Sequence, residues 1–266
     1  MELTRRQQRE LDYHRDTSAG DRLLAEPFEY EVAERPSRRW WNQHWAMYTE
    51  LRRLAPAGKR VLVVGCGYGE DALLLARLGA RVEAFDLSDD SLAVAQRLAA
   101  REGAAITFRR MTAERLDYPD ASFDLVLCRD ILHHVEIPEA MRELRRVARP
   151  GATFVANEVY SHSWTERIRR SAFAEGWLYP RLKRVIYGDA KPYITADERK
   201  MTERDMTLVE DALEVERRVW FDLAAGRLFP NTLTLASAID TLALRVLPGR
   251  WLAGRAIVVG RIRAPG

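Results

Sequence analysis

Short runs of β-branched residues alternate with longer helical patterns through the middle of the chain, and this alternation limits the possible folds more than any other feature. Residues 60–64 (RVLVV) form an apolar run typical of a strand that helices cover on both faces. Repeated strand–helix units of this kind build a doubly wound, mostly parallel α/β sheet. The predicted strands are 60–64, 81–85, 105–108, 123–128, 152–160, 214–221 and 255–262.

Helix start and stop signals occupy the intervals between these strands. Ser88 is a good N-cap, Pro138 suits the first turn of a helix, and Pro150 with Gly151 predicts a helix end. Thr202 followed by Asp205 predicts a further helix start. The predicted helices cover 70–78, 89–101, Pro138 to Pro150, and Thr202 to about Leu213.

Composition narrows the class of protein. The chain has 266 residues, of which 47% are hydrophobic and 30% charged, and this is typical of a soluble globular protein rather than a disordered chain. Lys and Arg number 42 against 39 Asp and Glu, so a net charge of +3 disfavours nucleic acid as a partner. Two cysteines give no disulfide framework, and we expect no metal site. The two cysteines fit a reducing, cytoplasmic location, and without a spanning apolar run we expect a protein that is soluble or at most peripheral to a membrane.

Three glycines follow the first strand and precede a helix. In the sequence VLVVGCGYGED, Gly65, Gly67 and Gly69 allow a ligand to approach unpaired backbone N–H groups at the helix start. Asp86, at the end of the second strand, can accept hydrogen bonds from both hydroxyls of a ribose. The spacing differs from the dinucleotide fingerprint, and Glu70 with Asp71 favours a ligand that carries positive charge. The combination predicts an adenosine-containing cofactor with a sulfonium group.

The chain resembles the class I S-adenosylmethionine-dependent methyltransferases, in the branch with many small-molecule and quinone-type enzymes. The resemblance covers about residues 58–160 and is carried by VLVVGCGYGEDALLLARLGARVEAFDLS and AERLDYPDASFDLVLCRDILHHVEIPEAMRELRRVARPG. It implies a seven-stranded Rossmann-like sheet of order 3-2-1-4-5-7-6. It also implies three regions: an N-terminal helical lid (1–57), the cofactor-binding core (58–160), and a helical insertion with the last two strands (161–266).

S-adenosylmethionine is the cofactor that this resemblance implies. In the family the glycine loop wraps the methionine part, and the acidic residue matched by Asp86 binds the ribose. Thr112 stands where many relatives have Asp, and its hydroxyl can still accept a hydrogen bond. The implied cofactor-binding residues are Gly65, Cys66, Gly67, Gly69, Asp86, Leu87, Thr112, Ala113, Glu114, Cys128 and Arg129.

Four side chains are candidates for the catalytic base. His133 and His134 are adjacent, and an imidazole can accept a proton from a substrate hydroxyl near neutral pH. A packing role for the histidine pair is the favoured alternative. Glu158 lies at the end of the fifth strand and is a second candidate, with a solvated loop residue as its alternative. His14 is the candidate from the N-terminal extension.

The two flanking regions have open roles. Aromatic residues concentrate before the first strand at Tyr13, Trp40, Trp41 and Trp45, which suits either a lid or helices packed on the sheet. Residues 228–252 carry helically spaced apolar residues typical of core, of a pocket wall, or of a membrane-surface contact. Residues 167–193 are basic and aromatic, with Tyr179, Arg181, Lys183 and Arg184 as the residues to test. A homodimer stays open.

The expected function is methyl transfer from S-adenosylmethionine to an oxygen, nitrogen or carbon atom of a small molecule. The apolar and aromatic flanking regions favour a terpenoid, polyketide, quinone or lipid-like acceptor over nucleic acid or protein. Two alternatives remain: a cofactor-binding protein of the same fold that serves a partner without catalysis, and a nicotinamide or flavin oxidoreductase.

Overall fold

The computed structural model describes residues 8, 18–169, 171–172, 176, 199–223 and 234–264. The strands are β1 Arg60–Val64, β2 Arg81–Asp86, β3 Ile106–Arg110, β4 Phe123–Arg129, β5 Ala148–Val159, β6 Leu213–Phe221 and β7 Arg255–Ile262. The helices are α1 Ser18–Ala25, α2 Glu31–Glu34, α3 Gln43–Arg53, α4 Glu70–Arg77, α5 Asp89–Arg101, α6 Ile137–Val147, α7 Ser163–Arg169, α8 Glu203–Asp211, α9 Thr234–Val246 and α10 Gly249–Leu252. A short 3₁₀ turn covers Leu132–His134.

The seven strands form one sheet in the order β3-β2-β1-β4-β5-β7-β6, which confirms the predicted fold. Strands β1 to β5 pair in parallel, whereas β7 runs antiparallel to both of its neighbours. The carboxyl ends of β1, β2, β4 and β5 therefore meet at one edge of the sheet. In open α/β sheets this edge is where ligands bind.

Alternating side chains on each strand supply the cores of the two faces. On β1, Leu62 and Val64 join the apolar cluster beneath α6 and α8, while Val61 and Val63 join the cluster that contains α3 and α4. Because the side-chain period of a strand is two, a buried strand covered on both faces must be apolar at successive positions. This explains why the predicted first strand is a continuous apolar run.

The predicted start of the fifth strand is wrong. Helix α6 ends at Val147, before Pro150 and Gly151 as expected, but β5 begins at Ala148 rather than at 152, so Pro150 and Gly151 lie inside the strand. The pairing of β4 with β5 shifts between Phe123 and Leu125, and Gly151 has a φ of 75°. The exposed Pro-Gly segment is thus accommodated as an irregularity in the strand, a position where both residues are tolerated.

Of two other predicted boundaries, one differs by a residue or two and the other is confirmed. Strand β3 starts one residue later than expected and extends to Arg110, because it lies at the sheet edge where charged side chains are exposed. The helix start at Thr202 is confirmed: the Thr202 side chain accepts from the Asp205 backbone N–H, and the Asp205 carboxylate accepts from the Thr202 N–H. This is a capping box in which Asp replaces the usual Glu.

The described N-terminal helices pack on the core. Trp45 and Tyr48 of α3 are buried in the cluster on one face of the sheet. Helix α1 lies against α5, and the Arg101 guanidinium donates to the carbonyls of Leu23, Leu24 and Glu26 at the end of α1. For Trp45 the packed-helix interpretation therefore holds. In the part of the chain that the structure describes, none of the helices is long and apolar enough to cross a membrane.

Candidate active site

The glycine loop joins β1 to α4 through three residues with positive φ. Gly65, Gly67 and Gly69 have φ values of 60°, 51° and 84°. A Cβ on Gly65 would lie 2.6 Å from the Ile131 side chain, so glycine is required there for close approach of two chain segments. A Cβ on Gly67 would meet nothing within 4 Å. The loop thus has open space at its centre, next to the N-terminus of α4.

Asp86 lies beside this loop at the end of β2. One carboxylate oxygen accepts the Gly67 N–H at 2.8 Å, and the other accepts the Ser88 N–H at 2.9 Å. The carboxylate therefore fixes the loop to the β2 end and to the start of α5. Each carboxylate oxygen can accept more than one hydrogen bond, so Asp86 retains acceptor capacity for a ligand. Its neighbour Leu87 accepts from the Arg110 side chain through its carbonyl.

Asp71 and Arg129 form a buried ion pair at the start of α4. The Arg129 Nε donates to one Asp71 oxygen, and the Tyr48 hydroxyl donates to the other at 2.8 Å. His44 Nε2 lies 3.4 Å from the same oxygen as Tyr48. Burial by itself raises the pKa of the Asp71 carboxyl. Arg129 and His44 together lower this pKa by more than burial raises it, so the net pKa lies below the ordinary value.

This ion pair corrects one sequence-based expectation. Glu70 and Asp71 were both expected to favour a positively charged ligand, but Arg129 compensates the Asp71 charge. Glu70 is exposed and supplies the remaining negative charge beside the loop. Burial raises the pKa of the Tyr48 hydroxyl, and Asp71 raises it further, so Tyr48 stays a neutral donor. The cluster thus ties α3 to α4 and to the end of β4.

The chain turns sharply after β4. Asp130 has a φ of 55°, an uncommon value for a residue with a side chain, and its N–H donates to the Asn157 carbonyl at 3.1 Å. Its carboxylate pairs with Arg255 of β7. The Asn157 side-chain amide in turn donates to Gln43 Oε1 of α3 at 2.8 Å. These contacts direct Ile131 onto the glycine loop and hold the following 3₁₀ turn over the sheet edge.

The structure joins two of the predicted catalytic candidates. His133 Nδ1 lies 2.7 Å from Glu158 Oε2, and both side chains are at most 3% exposed. The other Glu158 oxygen accepts the backbone N–H groups of Ile131 and Leu132 at 2.9 and 2.8 Å. The His134 ring packs 3.9 Å from the His133 ring, centroid to centroid, and is only half-buried. Of the two histidines, His134 therefore has the greater access to a ligand.

The other predicted cofactor residues lie near the same sheet edge. Cys128 on β4 pairs in register with Val64 of β1, one residue before the loop that contains Cys66. Burial raises the pKa of both thiols, so both stay neutral near pH 7. Thr112 bridges to Arg115, Ala113 is buried, and Glu114 accepts the Glu136 N–H at 3.1 Å. His14, Tyr13 and the four test residues at 179–184 lie outside the described residues.

Several residues of this edge could not be found from the sequence. Tyr48, Asn157 and Arg255 reach the site from α3, β5 and β7, respectively. They match no motif, and their partners are distant along the chain. The sequence signal nearest to them is the concentration of aromatic residues before the first strand, which does not include Tyr48.

A comparison with protein families identifies the central part of the chain. Residues 62–156 match the family described as a methyltransferase domain. The sheet order, the glycine loop and Asp86 agree with this match. The central part of the chain is thus similar to a methyltransferase domain. The matched residues include the glycine loop, Asp86 and the 3₁₀ turn, whereas Glu158, α3 and β7 lie outside them.

The two curated relatives described here match less than half of this chain. The ubiquinone biosynthesis O-methyltransferase of Hahella chejuensis is 42% identical over 102 residues, which cover 38% of this chain and 43% of that protein. The protein of the same name from Paraburkholderia phymatum is 33% identical over 141 residues, covering 48% of this chain and 60% of its own length. The match thus spans about half of each relative.

A solved structure extends the likeness to nearly the full length. Geranyl diphosphate C-methyltransferase from Streptomyces coelicolor A3(2) superposes with a TM-score of 0.63, covering 98% of this chain and 100% of that one. The two sequences are 13% identical. At this identity the likeness concerns the fold alone.

Proposed function

We propose that the protein is an S-adenosylmethionine-dependent methyltransferase that acts on a small, apolar molecule. The observation that carries this proposal is the junction of Gly67 with Asp86 at the carboxyl edge of a methyltransferase-domain sheet. There a backbone loop with open space adjoins a carboxylate that can bind a ribose. The family match concerns methyl transfer and does not extend to the chemical class of the acceptor.

The residues present suit S-adenosylmethionine. The open space at Gly67 is a cradle that any side chain would narrow, and the N-terminus of α4 offers backbone N–H groups to a carboxylate. Asp86 would hold the ribose, and Glu70 would lie near the positive charge of the sulfonium. When bound, the cofactor supplies an electrophilic methyl group. The protein's own contribution is to hold the acceptor atom in line with that group and to exclude water.

An oxygen acceptor of quinone-precursor type fits the proposal best among the classes considered. The two curated relatives described above are 42% and 33% identical to the matched part of this chain, and both are named ubiquinone biosynthesis O-methyltransferase. A phenolic hydroxyl must lose its proton as it is methylated, so such a reaction requires a base within hydrogen-bond reach.

His134 is the proposed base, and Glu158 the residue that positions the histidine pair. Three hydrogen bonds engage the two Glu158 oxygens, so this carboxylate holds His133 and the 3₁₀ turn rather than accepting a proton from the acceptor. His133 in turn supports the His134 ring, which packs against it at an interplanar angle of 43°. His14 retains its place as an untested candidate from the N-terminal extension.

Heavy-methyl S-adenosylmethionine tests this function. The purified protein is added to lysate of the source organism, and organic and aqueous extracts are analysed by mass spectrometry. We expect a heavy-methyl product in the organic extract. Asp86→Ala should abolish it because the loop and the ribose lose their common partner, while the exposed Asp90→Ala, four residues on, should retain it.

The outcomes separate the alternatives. A product that forms equally with the Asp86→Ala variant contradicts the proposed site. Cofactor binding by titration calorimetry without any enzyme-dependent product supports the non-catalytic cofactor-binding protein instead.

His134→Ala should lower turnover at least about tenfold with little change in cofactor affinity, since one general base contributes a factor of about 10² or more to the rate. Near-wild-type turnover would remove His134 as the base.

A further inference from the structure

The large hydrophobic side chains that the structure shows exposed are confined to one region. Each is between 43% and 86% exposed, and all lie on α7, on α9, on α10 or on the link between α9 and α10. Scattered exposed hydrophobic residues are normal, but their concentration on neighbouring elements marks an interaction surface. We call this set the apolar face; it comprises Trp164, Ile168, Leu235, Ile239, Leu242, Val246, Leu247 and Trp251.

Helix α9 provides the longest part of the apolar face. Its exposed apolar residues, from Leu235 to Val246, are spaced by four, three and four positions, so they lie along one side of the helix. The opposite side is fixed to the protein. Leu244 is buried, the Asp240 carboxylate accepts the Leu223 N–H at 2.7 Å, and the Thr241 hydroxyl donates to the Trp41 carbonyl. The outward apolar row is therefore presented by an anchored helix.

Helices α7 and α10 continue the apolar face. The Thr165 hydroxyl donates to the Trp251 carbonyl at 2.6 Å, which joins the two helices. The Trp251 ring stacks on His162 with 5.1 Å between centroids, yet 52% of this residue is exposed. Trp164 on α7 is 64% exposed. Two tryptophans thus border a row of aliphatic residues, an arrangement typical of protein surfaces at the boundary between lipid and water.

The exposed charged side chains that the structure describes on α7, α9 and α10 are of one sign. Arg167, Arg245 and Arg250 are exposed on the same three helices. Among the described side chains of these helices, the acidic residues point inward: Asp240 is buried, and the half-buried Glu166 accepts a hydrogen bond from Ser161. Arginine beside exposed apolar residues complements a surface that is both apolar and anionic.

A second copy of the chain fits this charge pattern poorly. A two-fold contact sets the same surface of each subunit against the other, so it would bring the three arginines of both copies together without an exposed acid from these helices to balance them. An anionic bilayer offers phosphate groups for the arginines and acyl chains for the row on α9. A 13-residue helix is about 20 Å long. It can therefore lie along such a surface.

We propose that the apolar face docks the protein on a bilayer that contains anionic lipid. The helices lie in the headgroup region, the α9 row and the two tryptophans enter the acyl boundary, and the arginines contact lipid phosphates. The proposal rests on the surface of α7, α9 and α10 and not on methyl transfer. Docking would bring the protein to the bilayer, in which a lipid-like acceptor concentrates.

Vesicle flotation of the full-length protein tests the docking. Vesicles of phosphatidylcholine with about one third phosphatidylglycerol are compared with phosphatidylcholine alone. We expect the protein to float with the anionic vesicles. Ile239→Glu with Val246→Glu should lower the partition coefficient at least about tenfold, because two carboxylates replace side chains that enter the acyl boundary.

A matched control is available on α5. Ala93 and Ala100 are exposed there and, like Ile239 and Val246, lie seven positions apart. Ala93→Glu with Ala100→Glu adds the same charge at the same spacing and should leave flotation unchanged.

Arg245→Gln with Arg250→Gln should weaken binding to anionic vesicles more than binding to neutral ones, whereas Arg97→Gln on α5 should not.

Three outcomes overturn the proposal. One is wild-type protein that stays with the soluble fraction at both lipid compositions. Another is undiminished flotation of the Ile239→Glu, Val246→Glu variant. The third is a wild-type dimer in sedimentation equilibrium that this variant converts to monomer without any vesicle binding, since the apolar face would then join two copies. S-adenosylmethionine affinity is measured on the same preparations, so loss of docking and failure of the proposed function are distinguished.

Discussion

A carboxylate buried in the first turn of α4 requires a counter-charge. Asp71 receives it from Arg129, 58 residues later, because parallel pairing of β1 with β4 brings the end of β4 beside the glycine loop. The two residues alone give no sign of this in the sequence, where Asp71 looks like an ordinary acidic residue at a helix start. Asp86 and the glycines could be predicted since their role depends on local chain geometry, whereas the Asp71–Arg129 and His133–Glu158 pairs depend on strand order.

Arg129→Met should destabilise the protein by about 2–3 kcal/mol at pH 7–8, because Asp71 is left buried and charged while Arg129 is partly exposed. In the wild type the low pKa of Asp71 stabilises the fold above the unfolded pKa of about 3.9, and this is lost as the pH falls through the folded pKa. In the variant, burial raises that pKa. The difference in the free energy of unfolding between the wild type and Arg129→Met should therefore narrow below about pH 5.

Urea unfolding at several pH values measures this difference. Arg149→Met is the control, since Arg149 forms a more exposed ion pair with Asp124 that should contribute no more than about 1 kcal/mol. A loss of stability in Arg129→Met that is the same at pH 4 and pH 8 would contradict the role of the Asp71 charge.

Individual helices and strands were predictable where a local signal fixes both ends. The Thr202–Asp205 cap is such a signal, and α8 begins where it indicates. The start of β5 had no such signal, because Pro150 and Gly151 predict a break while pairing with β4 keeps the strand in the sheet. The position of α1 depends similarly on a distant partner: Arg101 on α5, whose guanidinium binds three carbonyls at the end of α1.

Arg101→Ala should release the C-terminal end of α1. The variant loses the charge-assisted hydrogen bonds to the carbonyls at the end of α1. A loss of about 1.4 kcal/mol would raise the equilibrium constant for local opening of α1 tenfold. Hydrogen exchange at residues 18–26 should therefore accelerate about tenfold, while the melting temperature changes little. Arg97→Ala, one turn earlier on α5 and exposed, serves as the control. Equal exchange in both variants would mean that α1 is held by packing on α5 alone.

At the scale of the whole molecule, the candidate site is a property of the assembled sheet. Its residues come from the ends of β1, β2, β4 and β5, with support from α3 and β7. The strand order could be predicted because the family resemblance implies it, whereas the alternating strand and helix patterns predict only a mostly parallel sheet. The contacts of the flanking helices could not, since they depend on side chains that meet only after the sheet has formed.

S-adenosylhomocysteine should stabilise the entire fold rather than one region. At a ligand concentration 100 times the Kd, linkage gives about 2.7 kcal/mol, provided that the unfolded chain does not bind. Chemical unfolding with and without the ligand measures this, with a nicotinamide dinucleotide as the control that should give no stabilisation. Calorimetric binding of S-adenosylhomocysteine without any shift in unfolding would indicate a site that survives when the sheet is lost.

The order of β6 and β7 has a consequence for synthesis on the ribosome. Strand β7 lies between β5 and β6 although it is made after both, so during translation β6 has no sheet neighbour and β5 has an open edge until residues 255–262 emerge. Open strand edges are sites of intermolecular pairing. The nascent chain is therefore exposed to aggregation between the emergence of β6 and that of β7, and a chaperone that binds extended apolar segments would act in this interval.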